Sequence, residues 1–423
     1  MRKTALMLTN EDRLLILVAD SSMRQEPPDE ELRNEAASML GSVFDWRRFM
    51  KLAGHHMYLA ATARFFKTLG TFEGLPEDVR GILEGEYFLS QARFTKKEYE
   101  LIELVRDMEK EAVAPIVIKG IPLAYSLYND PGVRVSKDID ILVPRSDLER
   151  CQRVLQKNGY FLRSGRRSAE EYRAYHFHYI YCRGENLDSV VELHWDLLDP
   201  TMDHAIPDEA RLRERAIPLQ VGGTTIRTLS PPDAFWYMGM HAAYKCFLAF
   251  RSLAEMKGMA RRFKESDWNE VILWSARCNT DREMTLATSL CESLFGRLSR
   301  SGTAVGRAPG FFMKRFILST YYPRALVWEW LPFRDTHEFA MELYLRKGFR
   351  HRALYLYRLV FPDRVTLTRL YFNYRTSGVK QRIRLHLNGL YVLMKVLLVT
   401  LFMGFLVRSE IIGPRMLDPE RNR

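Results

Sequence analysis

Cysteine is scarce in this chain. The five that occur, Cys151, Cys182, Cys246, Cys278 and Cys291, are scattered without any C-x-x-C spacing, which argues against a zinc site or a disulfide framework and for a reducing cytosol. Repeats and low-complexity blocks are absent, and apolar and charged fractions are those of a globular protein. The opening MRKTALMLTNEDRLL has basic residues but no sustained apolar run followed by a small-residue cleavage site, so no secretory signal is expected. Acids are nearly missing from one stretch. Between Arg346 and Arg384 eleven Lys or Arg stand against a single acid, Asp363, so this segment carries nearly all of the net charge of +11. Tyr355, Tyr357, Tyr371, Phe372 and Tyr374 are interleaved with those cations. A basic, aromatic surface of that kind suits RNA or an anionic membrane.

Long apolar runs are also lacking, with one exception. Leu385 to Val407 is apolar apart from His386, Asn388, Lys395 and Thr400. Crossing a bilayer takes about 20 apolar residues, and a central lysine costs roughly 3 kcal/mol. A helix lying on a membrane or packing on the basic helices is therefore expected, and the chain is placed in the cytoplasm with peripheral membrane contact.

What is present is an α+β pattern. Residues 1–96 read as an N-terminal helical region, 97–233 as a catalytic core of strands and helices, 234–300 as helices closing the site, and 301–423 as a basic helical region. Thr9-x-x-Asp12 predicts a capping box. Helices are expected at Asp29 to Phe44, Trp46 to Leu69, Glu77 to Phe94 and Lys97 to Glu111, from apolar residues at helical spacing. Adjacent His55 and His56 diverge around a helix axis, which excludes one joint metal site.

The chemistry concentrates between Pro115 and Tyr160. Ile116-Val117-Ile118 predicts a strand, Lys119-Gly120 a turn, and Ile121 to Tyr128 a helix stopped by Asn129-Asp130-Pro131-Gly132. Asp138 to Val143 predicts a second strand, on which Asp138 and Asp140 share one face while Ile139 and Ile141 enter the core. Two carboxylates side by side resist joint ionisation unless a cation neutralises them. Oxygen ligands on a strand suit Mg²⁺ or Mn²⁺, which take further ligands from substrate phosphates. A helix through Lys157 with Ser146 as its cap, strands at Tyr160 to Arg163, Tyr175 to Cys182 and Val190 to Trp195, and a small mixed sheet with helices mainly on one face complete the expected core. On the last strand Glu192 and His194 share a face, opposite Val191 and Leu193. A strand near Ile226 leads into a helix expected from Ala234 to Phe263, with His241 and Lys245 at i and i+4. Trp268 to Leu298 is expected to be helical.

Lys119-Gly120, Arg134, Asp138-x-Asp140 and Val191-Glu192-Leu193-His194-Trp195 together resemble the uncharacterised nucleotidyltransferase family of the DNA polymerase β-like superfamily. The resemblance implies attack of an acceptor oxygen on the α-phosphorus of a nucleoside triphosphate, assisted by two metal ions about 4 Å apart. It implies Asp138, Asp140 and Glu192 as catalytic carboxylates and metal ligands. Lys119, Gly120 and Arg134 are implied at the phosphates, and Lys137, His194, His241 and Lys245 complete the nucleotide-binding set. The acceptor stays open among a small molecule, a peptide or protein, and RNA. The alternative is a catalytically inert nucleotide-binding or scaffold protein docking on a membrane or biosynthetic complex.

Overall fold

The computed structural model describes residues 8–24, 26, 28–40, 43–163, 176–184, 189–198, 204–205, 207–245, 247, 249–298, 343, 345–346, 348–361, 390–391 and 393–394. The chain forms two compact units, Met1–Ala308 and Pro309–Arg423.

The first unit opens with helices α1 (Asn10–Ser21), α2 (Glu30–Met39), α3 (Trp46–His55) and α4 (Leu59–Leu69). Thr9 and Asp12 exchange reciprocal hydrogen bonds at the start of α1, so the expected capping box is present. The single helix expected from Trp46 to Leu69 is broken between α3 and α4. Met57 adopts φ +60 there, and the Tyr58 amide returns to the Ala53 carbonyl at 2.7 Å. In the opposite sense, the two helices expected before the core are one: α5 runs from Glu77 to Lys110.

The core sheet collects β1 (Ile116–Val117), β2 (Ile139–Leu142), β3 (Phe161–Leu162), β4 (His178–Arg183), β5 (Ser189–His194), β6 (Ile217–Val221) and β7 (Thr224–Thr228). Its spatial order is β3-β4-β5-β2-β1-β7-β6. The sheet is mixed: β2 pairs parallel with β5 and β1 parallel with β7, while the other pairs are antiparallel. Helix α6 (Ile121–Leu127) joins β1 to β2, and α7 (Leu148–Lys157) joins β2 to β3. Ser146 lies in a short 3-10 turn, Arg145–Asp147, ahead of α7 and makes no cap. Helix α8 (Glu209–Arg215) and strand β6 have no strong periodic signature, and Gly222-Gly223, both at positive φ, turn β6 into β7.

One face of the sheet is apolar. Val117, Ile139, Ile141, Tyr179, Tyr181, Val191, Leu193 and Ile226 pack there against Leu101, Val105 and Met108 of α5 and Cys151 and Leu155 of α7. Helix α5 also holds the loop that leads into β2. Tyr87 and Gln91 bind the two Asp130 carboxylate oxygens at 2.8 and 2.9 Å, Ser90 Oγ donates to the Gly132 carbonyl at 2.5 Å, and Lys97 Nζ to the Lys137 carbonyl at 3.1 Å. Ser189, at the start of β5, donates to Glu100 of the same helix at 2.7 Å.

Beyond the sheet come α9 (Pro231–Tyr244), α10 (Phe250–Ala260), α11 (Glu265–Arg277) and α12 (Asp281–Phe295). The helix expected from Ala234 to Phe263 is broken after Tyr244, where Phe247 takes φ +61 and buries its ring completely. The one expected from Trp268 is broken at Asn279, φ +57, a residue type that tolerates this conformation. Cys151, Cys182, Cys278 and Cys291 are buried free thiols.

In the second unit, α13 (Gly348–Val360) carries exposed Phe349 and Tyr357. Most of the expected basic segment Arg346–Arg384, and of the apolar run Leu385–Val407, lies outside the described residues. Among the described residues no helix is long and apolar enough to cross a membrane.

Candidate active site

The polar face of the sheet carries a cluster of charged side chains. Because β2 and β5 pair parallel with Asp140 opposite Glu192 and Leu142 opposite His194, side-chain alternation puts Asp140, Glu192 and His194 on the face away from the apolar core. Asp140 is fully buried, whereas Asp138, just before β2, is partly exposed. Lys119, at the end of β1, donates from Nζ to Asp140 Oδ2 at 2.6 Å and lies 3.4 Å from Asp138 Oδ1. His194 Nε2 lies 3.2 Å from Asp140 Oδ1 and 3.4 Å from Glu192 Oε2.

Electrostatics follow from that geometry. Burial works against a charge on Lys119, but Asp140 and Asp138 outweigh it and raise its pKa above the ordinary lysine value. Burial likewise opposes protonation of His194, yet its bonds to Asp140 and Glu192 lift its pKa to about 9. Glu192 is pushed up by burial and pulled down further by His194 and Lys119, ending at about 2. At neutral pH Lys119 and His194 are thus cationic beside an anionic Glu192.

Gly120 follows Lys119 at φ +80, a conformation that L side chains rarely adopt. A Cβ there would stand 3.1 Å from Ser136 Oγ, and Ser136 Oγ in turn donates to the Asp138 carbonyl at 3.0 Å. The glycine therefore lets the turn after β1 lie close against the segment that presents Asp138.

Asp140, Glu192 and His194 offer ligand atoms that all lie within 4.8 Å of one another. Two carboxylates and an imidazole suit a divalent cation, provided His194 gives up its proton and Lys119 leaves Asp140. The donor set fits, and His194 joins the carboxylates there.

The remaining expected residues fall into different places. His241 is near the cluster, with Nδ1 2.9 Å from Ser252 Oγ, and burial, Lys119 and Lys245 lower its pKa to about 3. Lys245 caps the end of α9 with its ammonium over the Tyr244 ring at 5.1 Å, so the i, i+4 pair has one half-buried and one exposed member. Lys137 is exposed. Arg134 is not in the cluster. Its guanidinium is buried and forks onto Glu255, Nε to Oε1 at 2.7 Å and Nη2 to Oε2 at 3.2 Å, and Tyr128 also donates to Glu255 at 3.1 Å. Beside it Arg251 holds the carbonyls of Val135 and of Met57. Arg134 and Arg251 thus fix the loop ahead of Asp138 from behind.

Sequence reasoning passed over two neighbours, Tyr237 and Lys97, and His178 also borders the cluster. Tyr237 of α9 is buried in the field of Lys119, Asp140 and Glu192. It stands four residues before His241 on one helix face, which was a usable signal. His178 is opposite His194 across β4 and β5, with ring centroids 4.9 Å apart, and burial with His194 lowers its pKa to about 3. Lys97 reaches in from α5, where burial lowers its pKa against the pull of Glu100 and Asp138. Nothing in local spacing marks it.

A mixed sheet with carboxylates from two central strands, a lysine-glycine turn and a helical flank defines the nucleotidyltransferase class. The uncharacterised nucleotidyltransferase family matches residues 42–296, and the chain belongs to that family; its core has the α+β architecture expected from the sequence. Among solved structures, the antibiotic-resistance factor ANT(2″)-Ia in solution is similar at 10% identity and TM-score 0.32, over 43% of this chain and 91% of that one. The crystal structure of ANT(2″)-Ia with adenylyl-2″-tobramycin is similar at 9% identity and TM-score 0.33, over 43% and 98%. None of the curated proteins matches the chain in sequence.

Proposed function

We propose that this chain transfers a nucleoside monophosphate from a nucleoside triphosphate to an acceptor hydroxyl. The acceptor oxygen forms a bond to the α-phosphorus, the bond from that phosphorus to the bridging oxygen breaks, and pyrophosphate leaves while the acceptor loses its proton. The supporting observation is the rung at which Asp140 faces Glu192 beside buried Lys119.

Asp140, Glu192 and His194 are the residues to hold Mg²⁺ or Mn²⁺, with Asp138 at the rim. Such an ion supplies charge neutralisation at the phosphates and at the attacking oxygen. Lys119 sits where it can exchange a carboxylate for a phosphate oxygen. Arg134 acts by holding the loop, since its guanidinium is committed to Glu255.

The test is transfer of label from α-³²P nucleoside triphosphates, with Mg²⁺, to a panel of small molecules, peptides and RNA. Label should move with the wild-type protein and fall by at least about 10²-fold in Asp140→Asn, the scale set by loss of one preorganised electrostatic group. Triphosphate binding without any transfer would instead support the inert nucleotide-binding reading.

A further inference from the structure

A cavity adjoins the carboxylate cluster on the side of α9. It is a small cleft open to solvent at its mouth. Phe177, Tyr237 and His241 form the wall nearest the cluster: the Phe177 ring centroid is 5.7 Å from that of His194, and Tyr237 and His241 both feel Lys119 and Asp140. Leu197, Leu198 and Met240 line the rest, so the surface is almost wholly apolar.

One polar group stands out against that lining. His204, from the segment after β5, is a wall residue whose Nε2 lies 3.1 Å from Glu283 Oε1 of α12. A carboxylate only accepts, so in the neutral ring Nε2 carries the hydrogen and Nδ1 is left as an acceptor. His204 Nδ1 is buried and has no hydrogen-bond partner among the described residues. A buried acceptor without a donor costs roughly 1–3 kcal/mol, which a ligand that brings the donor recovers.

We propose that this cavity is the acceptor pocket and that it takes an uncharged, mainly apolar molecule whose hydroxyl or amine meets His204 Nδ1. This rests on the nucleotidyl-transfer reading for the word acceptor, but the recognition itself does not. A polycationic acceptor finds no carboxylate in the lining, and a nucleic acid backbone finds no cation. Glu283 is a positioning residue, fixing which ring nitrogen of His204 is bare.

Binding is read without nucleotide or metal, by saturation-transfer NMR and calorimetric titration, using p-cresol, toluene and tobramycin as probes. Wild-type protein should bind p-cresol at least about tenfold tighter than toluene, because a site built to hydrogen-bond a hydroxyl rejects the analogue that lacks it. His204→Phe keeps a planar ring and carries no hydrogen-bond acceptor, so p-cresol and toluene should then bind alike. Leu198→Trp, at the wall, should weaken both, with thermal unfolding checked for each variant. The pocket is overturned if neither aromatic probe binds the wild type, if His204→Phe keeps the preference, or if tobramycin displaces p-cresol. Failure of the transferase reading shows separately, as absent label transfer alongside intact p-cresol selectivity.

Discussion

Lys119 is the residue on which the charge balance turns. Removing one partner of a buried ion pair leaves the other uncompensated, at a cost of about 3–5 kcal/mol. Lys119→Met should therefore unfold at markedly lower urea at pH 7. A urea midpoint equal to that of the wild type would contradict this. His56 has a different pH signature. It is buried with Nε2 unpartnered, and burial, His55 and Arg251 lower its pKa from 6.5 to about 3. Between those values the unfolded chain binds the proton and the folded chain does not, so stability falls as pH drops, by about 1.4 kcal/mol per unit at full effect. His178 and His241 push the same way, so the readout is the difference from His56→Gln, whose urea midpoint should change less between pH 7 and pH 4.5. At Gly120, φ +80 and a Cβ position 3.1 Å from Ser136 Oγ predict that Gly120→Ala costs about 1–2 kcal/mol in urea unfolding.

At the scale of elements, what was legible in the sequence is what repeats locally. Strand alternation showed that Glu192 and His194 share a face, and it showed Ile139 and Ile141 turning inward. It could not show that β5 pairs parallel with β2 at the register Asp140 to Glu192, because that is set by long-range packing across the apolar face. Arg134 was legible as a cation near the motif, but its partner Glu255 lies 121 residues away and only the fold reveals it. Helix breaks at Met57 and Phe247 escaped because neither is Gly or Pro; each bends the chain to bury its own neighbourhood, Tyr58 in one case and Phe247 in the other. The reverse error arose at Phe94 to Lys97, where a weakening of the apolar pattern read as a boundary although α5 passes straight through. That difference can be measured. Thr95 is exposed inside α5, so Thr95→Pro should cost about 3 kcal/mol or more, whereas a junction between two helices would accept proline with little loss.

At the scale of the molecule, the family match spans residues 42–296 and so runs from the N-terminal helices through α12. The helices before the core are tied to it by Arg251, which joins the Met57 carbonyl to the Val135 carbonyl, and by Arg261, which holds Asp20. Limited trypsin digestion should accordingly spare the many Lys and Arg of α5 and leave residues 77–110 in one fragment. Early cleavage at Lys96 or Lys97 would contradict that. Thirty-four residues at about 1.5 Å each make α5 a beam roughly 50 Å long. One end abuts α4, the middle grips the loop before Asp138, and one turn further on Glu100 grips the start of β5. A ligand or protein that clasped the outer helices would pull on both acid-bearing strands at once, as a hand on a lever and not as a tug on a rope.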